Sequence, residues 1–411
     1  MLDQLYSLSQ HFLKINYREY ERYFLSSSPF QSRFSILIGQ RGVGKTTAIT
    51  QFLLSYSKKD FFSKKILYVQ ADHFLVRQKS LYEIAEEFSL NGGEIICFDE
   101  IHKYSNWSQE LKSIYDTFPK LKILASGSSI LEIKKGSHDL SRRAIIYKLF
   151  GMSFREFLEL TLDIKLKEYK LTDLLKSHQR IASKIIEAVE SKGKKIIPLF
   201  NSYLKYGCYP FFLEHKDHAL YYIALEQNIH TTIESDLISV YPSLSGNSIK
   251  KISKLLSILA KQVPYTPDMR KLKTILELGD ERTLKLYLKY LEDAGIVHLL
   301  SKKGGGLRQL EKPEKIYLNN PNLIYAISSP NEVNVGSLRE TFFINTLSAQ
   351  HTVDYTSNGD FEIDKKFIFE VGGKNKDFTQ IKNLKNSYLA VDNIEIGVGS
   401  KIPLYLFGFL Y

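Results

Sequence analysis

Two residue groups near the N-terminus have the types and spacing for phosphate chemistry. Gly39, Gly44, Lys45 and Thr46 fit the pattern G-x-x-x-x-G-K-[ST]. In that pattern backbone N–H groups curl round phosphate oxygens, the lysine reaches the outer phosphates and the hydroxyl holds Mg²⁺. The amides of Gly42, Val43, Gly44 and Lys45 form the cradle, and Thr46 and Thr47 open a helix whose N-terminus faces the anion. Glycine is expected in the loop because a Cβ would block the approach of backbone to phosphate. The second group is Asp99-Glu100, two adjacent carboxylates that end the apolar run Ile95-Ile96-Cys97-Phe98. A buried parallel strand would deliver Asp99 to the C-terminal edge of a sheet, where it orders the Mg²⁺ shell beside Thr46. Glu100 would then polarise the attacking water. By itself an Asp-Glu pair more often opens a helix; the phosphate loop upstream reverses that reading.

Several elements must position these groups. Residues 34–38 read as a buried strand entering the loop, and 47–55 as the helix leaving it. A second strand is expected at 66–70, then a helix over 80–88 with Ser80 as its N-cap. Gly92-Gly93 breaks the chain before the strand that carries Asp99. A further strand at 121–125 leads into Ser126-Gly127-Ser128-Ser129. Strand alternates with helix, which implies a parallel sheet. A hydroxyl after the last of these strands, Ser126 or Ser128, can stand between the two motifs and sense the γ-phosphate; such serines equally form plain turns. Residues 1–30 read as a helix, an aromatic-rich stretch and a turn at Ser28-Pro29, packed beside the nucleotide and covering its base.

The motifs also carry a resemblance. Gly-Gln-Arg-Gly-Val-Gly-Lys-Thr-Thr at 39–47, Phe98-Asp99-Glu100-Ile101-His102-Lys103 with Trp107, Ala125-Ser126-Gly127-Ser128-Ser129, and Leu140-Ser141-Arg142-Arg143 leading to Met152-Ser153-Phe154-Arg155-Glu156-Phe157 follow one another in a familiar order. The order resembles that of a large prokaryotic family of AAA+ type ATPases, along essentially the whole chain and most closely before residue 160. The resemblance implies an α/β fold: a P-loop NTPase core of AAA+ type with a parallel sheet, then a helical and winged-helix region, then a small α/β domain similar to PD-(D/E)XK nucleases. The expected divisions are 1–155 for the ATPase core with its N-terminal helix, 156–240 for a helical lid or connector, 241–310 for a winged-helix-like domain, and 311–411 for a linker and the nuclease-like domain. ATP or ADP and Mg²⁺ are the implied ligands. Where the family has Gly-Arg, this chain has Arg142-Arg143, which makes Arg143 the expected reader of nucleotide charge, across a subunit interface in a nucleotide-bound homo-oligomer. A basic surface turn is the plainer reading of the same pair.

Past residue 157 the chain is helical by pattern. His178, His215, His218 and His230 have no metal-ligand spacing and read as surface or capping residues. Helices are expected at 249–259, 267–278 and 281–294, followed by a strand at 296–300, in winged helix-turn-helix order. Leu284, Leu288 and Leu291 face a core, while Arg282, Lys285 and Lys289 share the opposite side as a groove-reading helix requires. Residues 301–306 and Arg308 would make a basic wing. Such domains also serve as protein contacts, so DNA and a protein partner both stand as readings.

The last domain offers Glu340 on a helix, Asp364 on one strand and Glu370 on the next, carboxylates that would bind Mg²⁺ and orient water on a phosphodiester. An active site of that type wants lysine two residues after Glu370, and Gly372 stands there. Lys374 would reach the site after a loop rearrangement. The expectation is a degenerate domain that binds without cutting, with Lys374, Lys376, Lys382 and Lys385 as a basic surface.

Composition bounds these readings. In 411 residues Lys and Arg number 56 against 45 Asp and Glu, a formal charge of +11, which favours an anionic partner beyond the nucleotide. Cys97 and Cys208 are the two cysteines of the chain; they make no disulfide framework and point to a reducing, cytoplasmic setting. The start of the chain lacks the pattern of a signal peptide. The longest apolar tract, 402–411, is interrupted by Pro403 and Gly408, falls short of the ~20 residues a membrane helix requires, and reads as a final buried strand. Two functions are open: an ATP-hydrolysing switch or motor acting on or near DNA, and a nucleotide-gated DNA- or protein-binding regulator without turnover. An ATP-dependent nuclease is a third.

Overall fold

A computed structural model describes residues 1–27, 29–127, 140, 142–215, 217–241, 243–302, 312–328, 333–382 and 384–411. Ser128 and the expected wing residues 303–306 and Arg308 lie outside that set. The chain divides into two compact units, Met1–Gly151 with Glu234–Ser243, and Met152–Ile233 with Leu244–Tyr411. Residues 234–243, which the sequence places around the end of a connector, therefore fold with the first unit.

The first unit is built on β1 (Phe34–Ile38), β2 (Ile66–Gln70), β3 (Ile95–Asp99), β4 (Lys122–Gly127) and β5 (Ile145–Lys148). They form one five-stranded sheet in the order β2-β3-β4-β1-β5, and every pair is parallel. Every residue of β1 and of β3 is buried, which is why these strands read as unbroken apolar runs rather than as alternating ones. Around the sheet lie α1 (Leu2–Asn16), α2 (Tyr23–Ser26), α3 (Lys45–Tyr56), α4 (Leu81–Leu90) and α5 (Trp107–Thr117). Leu2, Leu5 and Tyr6 of α1 join the core formed by Phe34, Ile36, Leu67 and Phe98. The predicted cap of α4 is present as a full capping box between Ser80 and Glu83. This is the P-loop NTPase core. Its topology inserts β4 between the strand that enters the phosphate loop and the strand that ends in Asp99, so the two motifs face each other across the end of β4 at a switch in strand order.

The second unit contains α6 (Phe154–Leu162), α7 (Leu171–Glu190), α8 (Ile196–Tyr206) and α9 (His218–Thr231). It continues with α10 (Gly246–Lys261), α11 (Met269–Ile275) and α12 (Glu281–Asp293), then an antiparallel pair, β6 (Val297–Leu300) with β7 (Lys315–Leu318). After α13 (Pro321–Ile327) and α14 (Val335–Leu347) comes a sheet of β8 (Val353–Asp354), β9 (Phe361–Ile363), β10 (Phe367–Gly372), β11 (Ser387–Val391) and β12 (Lys401–Pro403). Its order is β12-β11-β10-β9-β8.

Aromatic packing joins the early helices of this unit to the end of the chain. Phe154 meets Phe200, Tyr203, Tyr405 and Phe409, and Phe200 meets Phe342. The Arg155 guanidinium donates to the Tyr411 carbonyl at 3.1 Å. The tract read as a final strand is a short strand followed by a 3₁₀ turn over Leu404–Phe409, every residue of which is buried. Gly408 permits that turn to lie on α6, because a Cβ there would stand 2.5 Å from the Phe154 Cβ. His178, expected on the surface, is buried, and its Nε2 lies 2.9 Å from the Gly399 carbonyl.

Candidate nucleotide site

The loop between β1 and α3 uses glycine for two separate reasons. At Gly39 a Cβ would stand 2.5 Å from the Leu149 carbonyl oxygen, so the constraint is backbone packing against the segment after β5. At Gly42 and Gly44 the backbone is left-handed, with φ of 80° and 95°, where side chains are disfavoured. Gly44 caps α3 with no side-chain hydrogen bond and no acid in the first helical turn. The N-terminal amides of α3 are thereby presented without a competing carboxylate, as an anion-binding helix end needs.

Lys45 is buried and its ammonium donates to the carbonyls of Gly39 and Gln40 at 3.0 and 2.9 Å. Burial lowers its pKa even though Glu100 and Asp99 pull the other way. Val43, which is also buried, is tied down by a residue the sequence analysis passed over. Arg22 donates to the Val43 carbonyl at 2.7 Å and to the Phe150 and Gly151 carbonyls at 3.1 and 3.0 Å. Gln51 of α3 donates to the Arg18 and Tyr20 carbonyls at 2.7 and 2.8 Å. The aromatic-rich stretch thus braces the phosphate loop from behind.

Asp99 is 1% exposed and gathers hydroxyls from three elements. The Thr46 hydroxyl donates to its Oδ2 at 2.9 Å, the Tyr68 hydroxyl of β2 donates to the same oxygen, and the Ser126 hydroxyl of β4 donates to Oδ1. The Glu100 amide reaches Oδ1 at 3.0 Å. Ser126 is therefore aimed at the Asp99 carboxylate. Thr47 follows in the first turn of α3. Tyr68 was not anticipated; burial first, and the Asp99 charge second, raise its pKa.

Glu100 adopts the left-handed conformation with φ of 52°, sparsely populated for a residue with a side chain. Two cationic side chains and an imidazole surround its carboxylate: Lys103 Nζ at 3.8 Å, Arg41 Nη2 at 4.0 Å and His102 Nε2 at 3.6 Å. Arg41, within the phosphate loop, forks onto Asp236 with contacts of 3.0 and 3.3 Å. His102 Nε2 lies 3.8 Å from the same carboxylate. Burial alone would raise the Asp236 pKa; hydrogen bonds from His102 and Arg41 prevail and lower it. Asp236 comes from the short segment that returns to this unit, and no local pattern in the sequence marks it.

Arg143 is not brought to the phosphate loop of its own chain. It lies two residues before β5, at the edge where the strands begin, whereas the loop follows the end of β1. Its guanidinium forks onto Asp116 at 2.9 and 3.0 Å, and that pair raises its pKa.

In the second unit the carboxylates that converge differ from those expected. Glu340 accepts from the Tyr317 hydroxyl at 2.7 Å and lies 3.5 Å from Lys315 Nζ. The same ammonium is 3.4 Å from Asp360, whose other oxygen accepts the Val371 amide at 2.9 Å. Burial, then Asp360, raises the Glu340 pKa. Glu370 is buried and pairs with Lys376 at 2.5 Å. Asp364 sits elsewhere, in the turn after β9, bound to His351 Nδ1 at 2.7 Å and the Thr352 amide at 3.0 Å. Lys374 is exposed. A Cβ at Gly372 would stand 2.6 Å from the Lys376 Cβ, so the lysine four residues on occupies the space beside the missing side chain.

On α12, Leu284, Leu288 and Leu291 are buried. Arg282 is exposed and Lys285 half-buried, but Lys289 is engaged by Glu292 and Asp293, both at 3.1 Å. The basic stripe is therefore shorter than its sequence.

Residues 31–158 match the family model of an AAA domain, and residues 197–333 that of a domain of unknown function (DUF8612). An uncharacterized protein of Methanocaldococcus jannaschii is 28% identical over 295 residues, which are 68% of this chain and 59% of that protein. The chain thus spans about three fifths of the length of that curated relative. Among solved structures, a Walker-type ATPase of Pyrococcus abyssi is 13% identical with a TM-score of 0.40, covering 74% of this chain and 93% of its own. The PCH-2 protein of C. elegans is 15% identical with a TM-score of 0.24, covering 39% of this chain and 45% of its own. Overlaps this low add nothing to the sheet order. The loop and the strand order define a P-loop NTPase fold in the first unit, and the match over residues 31–158 is to the model of an AAA domain.

Proposed function

We propose that the chain binds ATP with Mg²⁺ and hydrolyses it, as a nucleotide-driven switch or motor that works on or near DNA. One observation carries this reading: Thr46 and Asp99, which arrive from different elements, meet at 2.9 Å beside the free end of α3, with Glu100 next in the chain. The amides of Gly42, Val43, Gly44 and Lys45 and the Lys45 ammonium bind phosphates. Oxygen donors of the Thr46 and Asp99 kind suit Mg²⁺. Among the described residues no group of three or more His, Cys, Asp or Glu is arranged to hold a metal, so these two would share the ion with phosphate and water oxygens. Such an ion supplies charge neutralisation along the phosphates. Glu100 orients and deprotonates water, and Ser126 fixes the Asp99 carboxylate. Arg143 has no part within one chain and is assigned to a contact in trans, in a nucleotide-bound homo-oligomer.

The second reading, a nucleotide-gated regulator without turnover, is favoured by the ring of Arg41, His102 and Lys103 round Glu100, which would hold the carboxylate away from water. For either reading, the three helices and antiparallel pair at 246–318 act as a winged-helix-like contact for DNA or a protein, with Arg282 and Lys285 as the available cations. The domain after it is read as a nuclease-like fold that binds and does not cut, since Gly372 stands where such a site wants lysine. Both cysteines are free and buried, which fits a reducing, cytoplasmic setting. Among the described residues no helix is long and apolar enough to cross a membrane.

Steady-state phosphate release by wild type, Lys45→Ala and Glu100→Gln, with and without DNA, tests the assignment. Turnover confined to wild type supports hydrolysis; equal rates in all three remove it. Tight ATP binding without turnover in wild type selects the regulator.

A further inference from the structure

We propose that Asp236 is a positioning residue for turnover, acting by holding Arg41 off Glu100. The inference rests on the hydrolytic reading above. Asp236 is 2% exposed and takes both arms of the Arg41 guanidinium, at 3.0 and 3.3 Å. A guanidinium forked onto one carboxylate has its geometry fixed by that pair. Here the fork leaves Arg41 Nη2 4.0 Å from the nearest Glu100 oxygen, beyond hydrogen-bond distance. Arg41 stands between Gln40 and Gly42 in the phosphate loop, so its backbone cannot withdraw, and its side chain has two anions within reach. When Asp236 is neutralised, the remaining partner for the fork is Glu100. A carboxylate bound in that way is turned from the water it must orient. Lys45 and Asp72 also act on the pair through their charges; nearest to it are Lys103, bound to Asp72 at 2.5 Å, and the His102 imidazole, which lies within 3.8 Å of both carboxylates. Neither replaces a bidentate acceptor for Arg41.

Asp236→Asn keeps the shape and removes the charge. The expected result is a kcat lower by about tenfold to a hundredfold, up to the lower end of what a general base contributes, with KM for ATP and binding of a non-hydrolysable analogue changed by less than about threefold. Asp236→Glu should restore most of kcat. The decisive comparison is the double-mutant cycle with Arg41→Gln: once Arg41 is gone, adding Asp236→Asn should alter kcat by less than about twofold. Thermal unfolding of each variant is recorded alongside, and if Asp236→Asn alone does not fold, the Arg41→Gln background carries the same comparison. Wild-type kcat in Asp236→Asn overturns the inference, as does an undiminished loss in the Arg41→Gln background. Should wild type and Glu100→Gln release phosphate equally, the hydrolytic reading has failed first, an outcome distinguishable from failure of the role of Asp236.

Discussion

Asp99, the last residue of β3, and Glu370, within β10, are both buried strand carboxylates, and they are satisfied in opposite ways. Asp99 takes hydrogen bonds from the neutral hydroxyls of Thr46, Tyr68 and Ser126. Glu370 is paired with the Lys376 ammonium, and its neighbours Glu340 and Asp360 share Lys315. Hydroxyls satisfy lone pairs without cancelling charge, so Asp99 keeps an electrostatic demand that a divalent ion would answer. Ammonium groups cancel it in place. On the proposed function a buried strand carboxylate serves the nucleotide in one unit and an ion pair in the other, although in the sequence both follow apolar residues of a strand.

The contrast breaks most sharply at Glu100 and Lys45. Glu100→Gln should lower phosphate release by about 10²- to 10⁴-fold, the range for loss of a general base, with nucleotide affinity kept, as measured by release and by equilibrium binding. Lys45→Ala should lower it by about 10²- to 10³-fold, comparable to loss of one preorganised donor to a developing charge, and weaken analogue binding as well.

In the second unit the matching change acts on stability. Lys376→Ala leaves Glu370 buried with its cation removed and should destabilise by about 1–3 kcal/mol, read by urea unfolding, while phosphate release is unchanged. A pH series sharpens the point. The folded-state pKa of Glu340 is raised, by burial and by Asp360, so the folded chain holds a proton that the unfolded chain has lost. Stability should then fall as pH rises from the ordinary glutamate range toward the raised value, and Glu340→Gln should flatten that stretch of the unfolding profile. The smallest effect is expected at the edge of the first site, where Tyr68→Phe removes one of three hydroxyls from Asp99 and should cost about 0.5–1.5 kcal/mol of stability.

How much of this was legible follows from how far apart the contacting residues lie. β1, β3 and β4 and the phosphate loop are contiguous stretches whose apolar runs and glycines carry their own instructions, and Thr46 and Asp99 are named by motif. Arg22, Tyr68 and Asp236 reach the same site from 21, 31 and 195 residues away from Val43, Asp99 and Arg41, and no local period encodes such meetings. The second unit shows a different obstacle. Asp360, Glu362 and Asp364 share one parity along a strand, so spacing cannot say which of them meets Glu370. The antiparallel register that pairs Phe361 with Phe369 selects Asp360 and leaves Asp364 in the following turn. Lys374 is the lysine nearest to Gly372 along the chain, whereas the bend after β10 turns Lys376 back onto Glu370. The pairing of Lys289, by contrast, is legible in the sequence, since Glu292 and Asp293 follow it at helical spacing on the same face.

The central claim is that the Asp99 site turns nucleotide over, and the most direct test is the identity of the nucleotide the protein retains. Wild type and Glu100→Gln are incubated with ATP and Mg²⁺, passed through a desalting column, denatured in acid, and their bound nucleotide is separated by chromatography. The account predicts ADP on wild type and ATP on Glu100→Gln. ATP retained intact on both would show a binding site that does not hydrolyse, and would contradict it.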